Sequence, residues 1–237
     1  MGKIAFVFAG QGAQYPGMGQ SVYQASASAK ALLDEVEQLR GGTLEQCFAA
    51  DKETLSQTIN AQPCLMAVDC ACAAALMEAG IAPDGLVGFS LGEIAALGMS
   101  GMLPFEEAFA LVNKRAAFMQ DCAQQNPGGM AAVLKLEDEQ VEALCEAHGA
   151  YPVNYNSPGQ VVCAMALDVM DAFAQAVKDA GGRALPLKVS GAFHSPFMAD
   201  AAKKLSDYAQ TLSFAQPQKP LYANATCGLY TAEEAPA

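Results

Sequence analysis

Histidine occurs only twice in this chain of 237 residues, so chemistry that needs an imidazole has two places to find one, His148 and His194. Cations are also scarce. Thirteen Lys and Arg stand against twenty-five Asp and Glu, a formal charge of −12 that repels nucleic acid and anionic membrane unless a basic patch is concentrated locally. Nucleic acid is therefore set aside as a partner, and so is membrane, because no apolar stretch reads as long enough to span one. The eight cysteines form no C-x-x-C pair and sit mostly in apolar stretches, where a thiol behaves as a small hydrophobe; neither a metal site nor a disulfide framework is expected. The apolar run over residues 4–8 is too short for a signal sequence and leads straight into a glycine-rich turn. Internal repeats and low-complexity linkers are missing too. What remains is the expectation of a soluble, cytoplasmic, globular chain whose 52% hydrophobic content can build a core without a staple.

The order of elements points to α/β architecture. Residues 4–8 read as a buried strand, the loop Gly10-Gln11-Gly12-Ala13-Gln14 follows, and a helix covers about 29–39. Pro63 reads as the opening of a long apolar helix over 64–79, closed by Gly80. A short strand at 85–89, a glycine turn, a helix over 91–99 and a longer helix from Pro104 to about Gln125 come next. From Gly128 the pattern changes to strand, helix, two strands, helix and strand, the ferredoxin-like βαββαβ order, over 128–190. The chain returns through Gly191-Ala192-Phe193-His194-Ser195-Pro196, with Ser195 as N-cap and Pro196 first in a helix, and one more strand falls at 219–223.

Gly88-Phe89-Ser90-Leu91-Gly92 is a G-x-S-x-G sequence between a predicted strand and a predicted helix, the context that separates a nucleophile turn from an incidental serine. Small neighbours let the turn be tight, and the helix start leaves backbone N–H groups for an oxyanion, Leu91 first among them. His148, at a helix end before Gly149, reads as structural; His194, in a short turn between strand and helix, is the candidate base. Arg115 lies on the apolar stripe of its helix, where a guanidinium needs an anion. Snorkelling, pairing with Glu93, and bidentate recognition of a substrate carboxylate all remain open for it. Gln11 is a further possible backbone donor to the oxyanion.

Gly10-Gln11-Gly12-Ala13-Gln14, Gln62-Pro63, Gly88-Phe89-Ser90-Leu91-Gly92-Glu93, Arg115 with Met119-Gln120, Asn156-Ser157-Pro158-Gly159-Gln160 and Gly191-Ala192-Phe193-His194-Ser195 together resemble the malonyl-CoA:acyl carrier protein transacylases over nearly the whole chain. The resemblance implies an α/β-hydrolase-like large domain with a parallel sheet, residues 1–127 and 191–237, and an inserted ferredoxin-like small domain, 128–190, with the active site in the cleft between them. It also implies an [acyl-carrier-protein] S-malonyltransferase working by ping-pong through malonyl-Ser90, with His194 as base, Gln11 and Leu91 as oxyanion donors and Arg115 on the malonyl carboxylate. Malonyl-CoA and the phosphopantetheine thiol of acyl carrier protein are then the substrates, with no cofactor and no metal, a monomeric state, and fatty acid synthesis as the default pathway. Phe193 before His194 implies malonyl over methylmalonyl, and Phe89 departs from the histidine common at that position. Members of the family continue beyond the point where this chain ends, which implies that the C-terminal part of the large domain is missing. A catalytically incomplete fragment and a serine thioesterase are the competing readings. Arg183, Lys188, Lys203 and Lys204, clustered in sequence near His194, are either a docking patch for an acidic carrier or a solvated face.

Overall fold

In the first strand, β1 (Ala5–Phe8), Phe6 and Phe8 are buried while Val7 is 73% exposed. The strand read as buried is thus covered on one face only, as its two-residue alternation dictates. The computed structural model describes residues 2–232. It divides into two units, Met1–Ala117 with Leu205–Ala237, and Phe118–Lys204.

In the first unit, β1 runs parallel to β2 (Gly85–Gly88), which runs parallel to β7 (Leu221–Tyr222), in the order β1-β2-β7. Parallel neighbours need long crossovers. Between β1 and β2 the chain forms α1 (Gln20–Ala25), α2 (Ala27–Leu39), α3 (Thr43–Ala49), α4 (Lys52–Ser56) and α5 (Thr58–Glu78). After β2 come α6 (Gly92–Met99) and α7 (Phe105–Gln125). Phe6, Phe8, Leu86 and Leu221 from the sheet pack with Leu33, Met66, Ile94 and Phe109 from the helices in one buried cluster.

Helix α5 starts at Thr58, so Pro63 lies inside it rather than at its first position. A proline there cannot donate to the Ile59 carbonyl four residues back. Arg40 supplies the missing donor: Nη2 donates to Ile59 O at 3.4 Å and to Asn60 Oδ1 at 3.1 Å, while Nη1 donates to Gln46 Oε1 at 2.7 Å and Thr43 Oγ1 at 3.0 Å. The full helix is also long and apolar enough, by length and composition, to cross a membrane, which corrects the sequence reading. That reading started the helix six residues late. In this fold 61% of the helix's most apolar window is buried, and α5 packs against α2 and α6 as the central core helix of its unit.

The second unit contains β3 (Gly128–Leu134), α8 (Asp138–His148), β4 (Tyr151–Ser157), β5 (Gln160–Ala166), α9 (Met170–Asp179) and β6 (Arg183–Pro186), in a wholly antiparallel sheet ordered β4-β5-β3-β6. One face of that sheet, Ala131, Val133, Val161, Cys163 and Met165, packs with Val141 and Cys145 of α8 and Phe173 and Val177 of α9. The other, Met130, Ala132, Val162 and Ala164, packs with Met119, Cys122, Phe193 and Met198. With both faces covered, β3 and β5 read as continuous apolar runs. After β6 the chain passes through residues 187–198 to α10 (Ala199–Ala209).

Candidate active site

β2 ends at Gly88 and α6 begins at Gly92, leaving three residues to reverse the chain. A Cβ on Gly88 would lie 1.9 Å from the Gly92 carbonyl carbon, and one on Gly92 would lie 2.4 Å from the Phe8 oxygen. Only glycine fits at either place. Ser90, between them, is held at φ 53°, a left-handed conformation that costs a residue with a Cβ about 1–2 kcal/mol. Strain retained at the tip of such a turn is found where a side chain must be projected for chemistry.

The turn presents three kinds of group. Ser90 Oγ accepts a hydrogen bond from Arg115 Nη2 at 3.0 Å. The Leu91 N–H stands at the entrance of α6, and among the described residues it has no acceptor. The same holds for the backbone N–H of Gln11, in the loop after β1, whose side chain is tied down on the first turns of α5: Nε2 donates to Thr58 Oγ1 at 3.2 Å, and Gln62 Nε2 donates to Gln11 Oε1 at 3.3 Å. Ser90, Leu91, Gln11 and Arg115 all belong to the first unit.

Burial lowers the affinity of Arg115 for its proton to a pKa of about 10, opposed by the field of Glu93, so the guanidinium is cationic at neutral pH. Glu93 does not neutralise it by contact. Its Oε1 accepts from the Asn224 N–H at 2.7 Å and from the Tyr230 hydroxyl at 3.1 Å, and among the described residues it makes no ion pair with Arg115. A desolvated guanidinium with five donors and a hydroxyl partner is suited to bind an anion bidentately.

His194 lies in the second unit, exposed, at φ 60°. The turn that carries it is built from its neighbours: Phe193 is buried, Ser195 Oγ donates to Ala192 O at 2.6 Å, and Ser195 Oγ accepts from the Phe197 N–H at 3.3 Å to cap the short 3₁₀ helix Pro196–Met198. An exposed imidazole on a left-handed turn is not a core histidine. Phe193 itself sits in the buried cluster with Met119 and Met198, so its ring packs the unit's core. His148, in the last turn of α8, sets its ring edge against Phe173 with centroids 6.1 Å apart, a packing role. No group of three or more His, Cys, Asp or Glu side chains able to hold a metal ion occurs among the described residues.

Two residues at this site were not read from the sequence. Asn224, just beyond β7, bonds to both ends of the serine turn: Ser90 N–H donates to its Oδ1 at 2.7 Å, and its Nδ2 donates to Gly88 O at 2.6 Å. Asp69 of α5 accepts from the Ala9 N–H beside the Gln11 loop, and burial drives its carboxyl pKa up to about 7 with Oδ2 unpartnered among the described residues. Asn224 acts across more than 130 residues of sequence, so no local motif announces it. Asp69 did carry a signal, a lone acid on an apolar helix.

A serine on a strand-to-helix turn with a cation against its hydroxyl is an arrangement suited to acyl transfer, and the acyl transferase domain family matches residues 5–235. Among curated relatives, the malonyl CoA-acyl carrier protein transacylase of Bacillus subtilis is 36% identical over 238 residues, 98% of this chain and 75% of that protein. The one from Synechocystis is 38% identical over 212 residues, 89% of this chain and 69% of its own. Solved structures agree. A malonyl-transacylase in complex with its type II polyketide synthase acyl carrier protein superposes with a TM-score of 0.94 at 32% identity, covering 99% of this chain and 79% of that one. The Streptococcus pneumoniae transacylase gives 0.92 at 37% identity, covering 99% and 78%. The chain belongs to the malonyl CoA-acyl carrier protein transacylase family of acyltransferases.

Proposed function

We propose that this protein transfers a malonyl group from malonyl-CoA to the phosphopantetheine thiol of acyl carrier protein, supplying extender units for fatty acid synthesis. The observation that carries the substrate is the Arg115–Ser90 bond of 3.0 Å. A malonyl group has its carboxylate one methylene from the reacting carbonyl, so a cation that reads it must stand beside the nucleophile.

Ser90 Oγ attacks the thioester carbonyl, its proton passing to His194, and the oxyanion is stabilised by the N–H groups of Leu91 and Gln11. Collapse breaks the C–S bond, CoA takes the proton from His194, and malonyl-Ser90 remains. The carrier thiol then gives its proton to His194 and attacks the same carbonyl; the C–O bond breaks and Ser90 recovers its proton. Arg115 exchanges its bond to Ser90 for the malonyl carboxylate and keeps it through both halves. The reaction draws on no metal or cofactor.

Residues 1–127 and 191–237 serve as an α/β-hydrolase-like body, and the βαββαβ stretch 128–190 as a ferredoxin-like insertion; the strand order β4-β5-β3-β6 supports the latter. Arg183, Lys188, Lys203 and Lys204 are all exposed in the second unit, which supports carrier docking there. The protein works as a cytoplasmic monomer.

The test is transfer of labelled malonyl from malonyl-CoA with and without holo acyl carrier protein. Label accumulating on the carrier supports the proposal. Free malonate released at the same rate without carrier would make the protein a thioesterase.

A further inference from the structure

We propose that Asn224 is a positioning residue of the serine turn, holding Ser90 in its left-handed conformation from outside the turn. This rests on the reading of Ser90 as nucleophile. The carboxamide spans the turn: Oδ1 accepts from the Ser90 N–H at 2.7 Å, and Nδ2 donates to the Gly88 carbonyl at 2.6 Å. Its orientation is fixed by that pairing, because a flipped amide would set NH₂ against N–H and oxygen against oxygen. The two bonds use one rigid plane and so hold the peptide planes on either side of Phe89; the left-handed torsion of Ser90, φ 53°, is the next one along the chain, and it is constrained because Asn224 is also tied to α6 beyond it.

The clip is itself anchored. The Asn224 N–H donates to Glu93 Oε1 at 2.7 Å, and Tyr230 OH donates to the same oxygen at 3.1 Å. Glu93 is in the first turn of α6, whose entrance carries the Leu91 N–H. Asn224 is thereby bonded to the strand end, the serine and the start of the helix, so it fixes the relation between Ser90 Oγ and an oxyanion donor without touching substrate. Asparagine is the residue this needs. Aspartate keeps the acceptor and loses the donor, alanine loses both, and glutamine adds a methylene that the bond lengths do not accommodate.

The test compares wild type with Asn224→Ala and Asn224→Asp in single-turnover acylation by malonyl-CoA from pH 6 to 8, with a crystal structure of the alanine variant. Alanine is expected to lower the maximal acylation rate about 10- to 100-fold, less than the roughly 10²- to 10³-fold cost of losing an oxyanion donor outright because here the donor is displaced rather than removed, with half-saturation by malonyl-CoA changed less than about threefold. Aspartate gives a signature that a merely structural role would not. Ionised, it opposes the Gly88 carbonyl and the Glu93 carboxylate; protonated, it can donate to Gly88 O as asparagine does. The other titratable groups around it are Tyr230, Cys227, whose thiol faces Asn224 O at 4.0 Å, and Arg115, which feels Glu93. The aspartate rate, as a ratio to wild type at the same pH, should therefore rise as pH falls, while the alanine ratio stays flat. An alanine variant within twofold of wild type, or an aspartate ratio that does not move with pH, overturns the proposal. Should wild type itself fail to acylate, the reading of Ser90 fails instead, and the crystal structure still decides the clip: Ser90 leaving the left-handed region supports it, and φ unchanged refutes it.

Discussion

Replacing Arg115 by alanine separates the roles open to this residue. In the wild type its guanidinium is desolvated, cationic below about pH 10, and 3.0 Å from Ser90 Oγ. A bidentate guanidinium–carboxylate contact made of two charge-assisted bonds contributes about 3–4 kcal/mol. Its loss lowers kcat/KM for malonyl-CoA by a factor on the order of 10²–10³. Acetyl-CoA has no carboxylate to lose, and the bond to Ser90 Oγ that the mutation also removes belongs to the resting state, so its kcat/KM should change by less than about tenfold. The assay is acylation of the purified variant by each thioester, with thermal unfolding run in parallel. The expected result is a collapse of malonyl preference at nearly constant fold stability. An equal loss for both thioesters, or a large fall in Tm, would show that Arg115 holds the fold rather than the substrate.

Three other outcomes follow from the same geometry. His194→Ala should slow acylation by about 10³-fold or more, measured in single turnover, because the exposed imidazole is the proposed proton carrier; a change under tenfold would remove it from that role. Gly88→Ala places a Cβ 1.9 Å from the Gly92 carbonyl carbon, so chemical denaturation should show a loss of at least about 3 kcal/mol or no soluble protein. Asp69 binds its proton more tightly in the folded state, at about 7 against an ordinary 3.8, so it withdraws stability as pH rises from about 4 through 7. Asp69→Asn should remove that slope, making the Tm of the variant relative to wild type higher at pH 8 than at pH 5; a difference independent of pH would contradict the buried carboxylate.

What could be read from the sequence was what is decided locally. The serine turn was legible because Gly88, Ser90 and Gly92 act on one another within five residues, and their close approach admits no Cβ. His194 stood out as the candidate base because the chain has so few imidazoles to choose among, and it lies exposed on a left-handed turn. The start of α5 was misread because proline at a first helical position is the common case, and the compensation for an internal Pro63 comes from Arg40, more than twenty residues earlier. The same late start hid the apolar length of that helix. Val7 looked buried because strand composition does not say which face a sheet leaves open. Asn224 was invisible for the strongest reason. Its function consists of two hydrogen bonds to residues 134 and 136 positions away, and asparagine in a loop is otherwise unremarkable.

The central claim is that Ser90 carries malonyl between two thiols, and intact-protein mass spectrometry tests it most directly. Wild type and Ser90→Ala are each incubated briefly with malonyl-CoA, and holo acyl carrier protein is then added. The account predicts one malonyl adduct on the wild type, none on the alanine variant, and transfer of the adduct to the carrier. An adduct that persists in Ser90→Ala, or one on wild type that the carrier does not discharge, would contradict it.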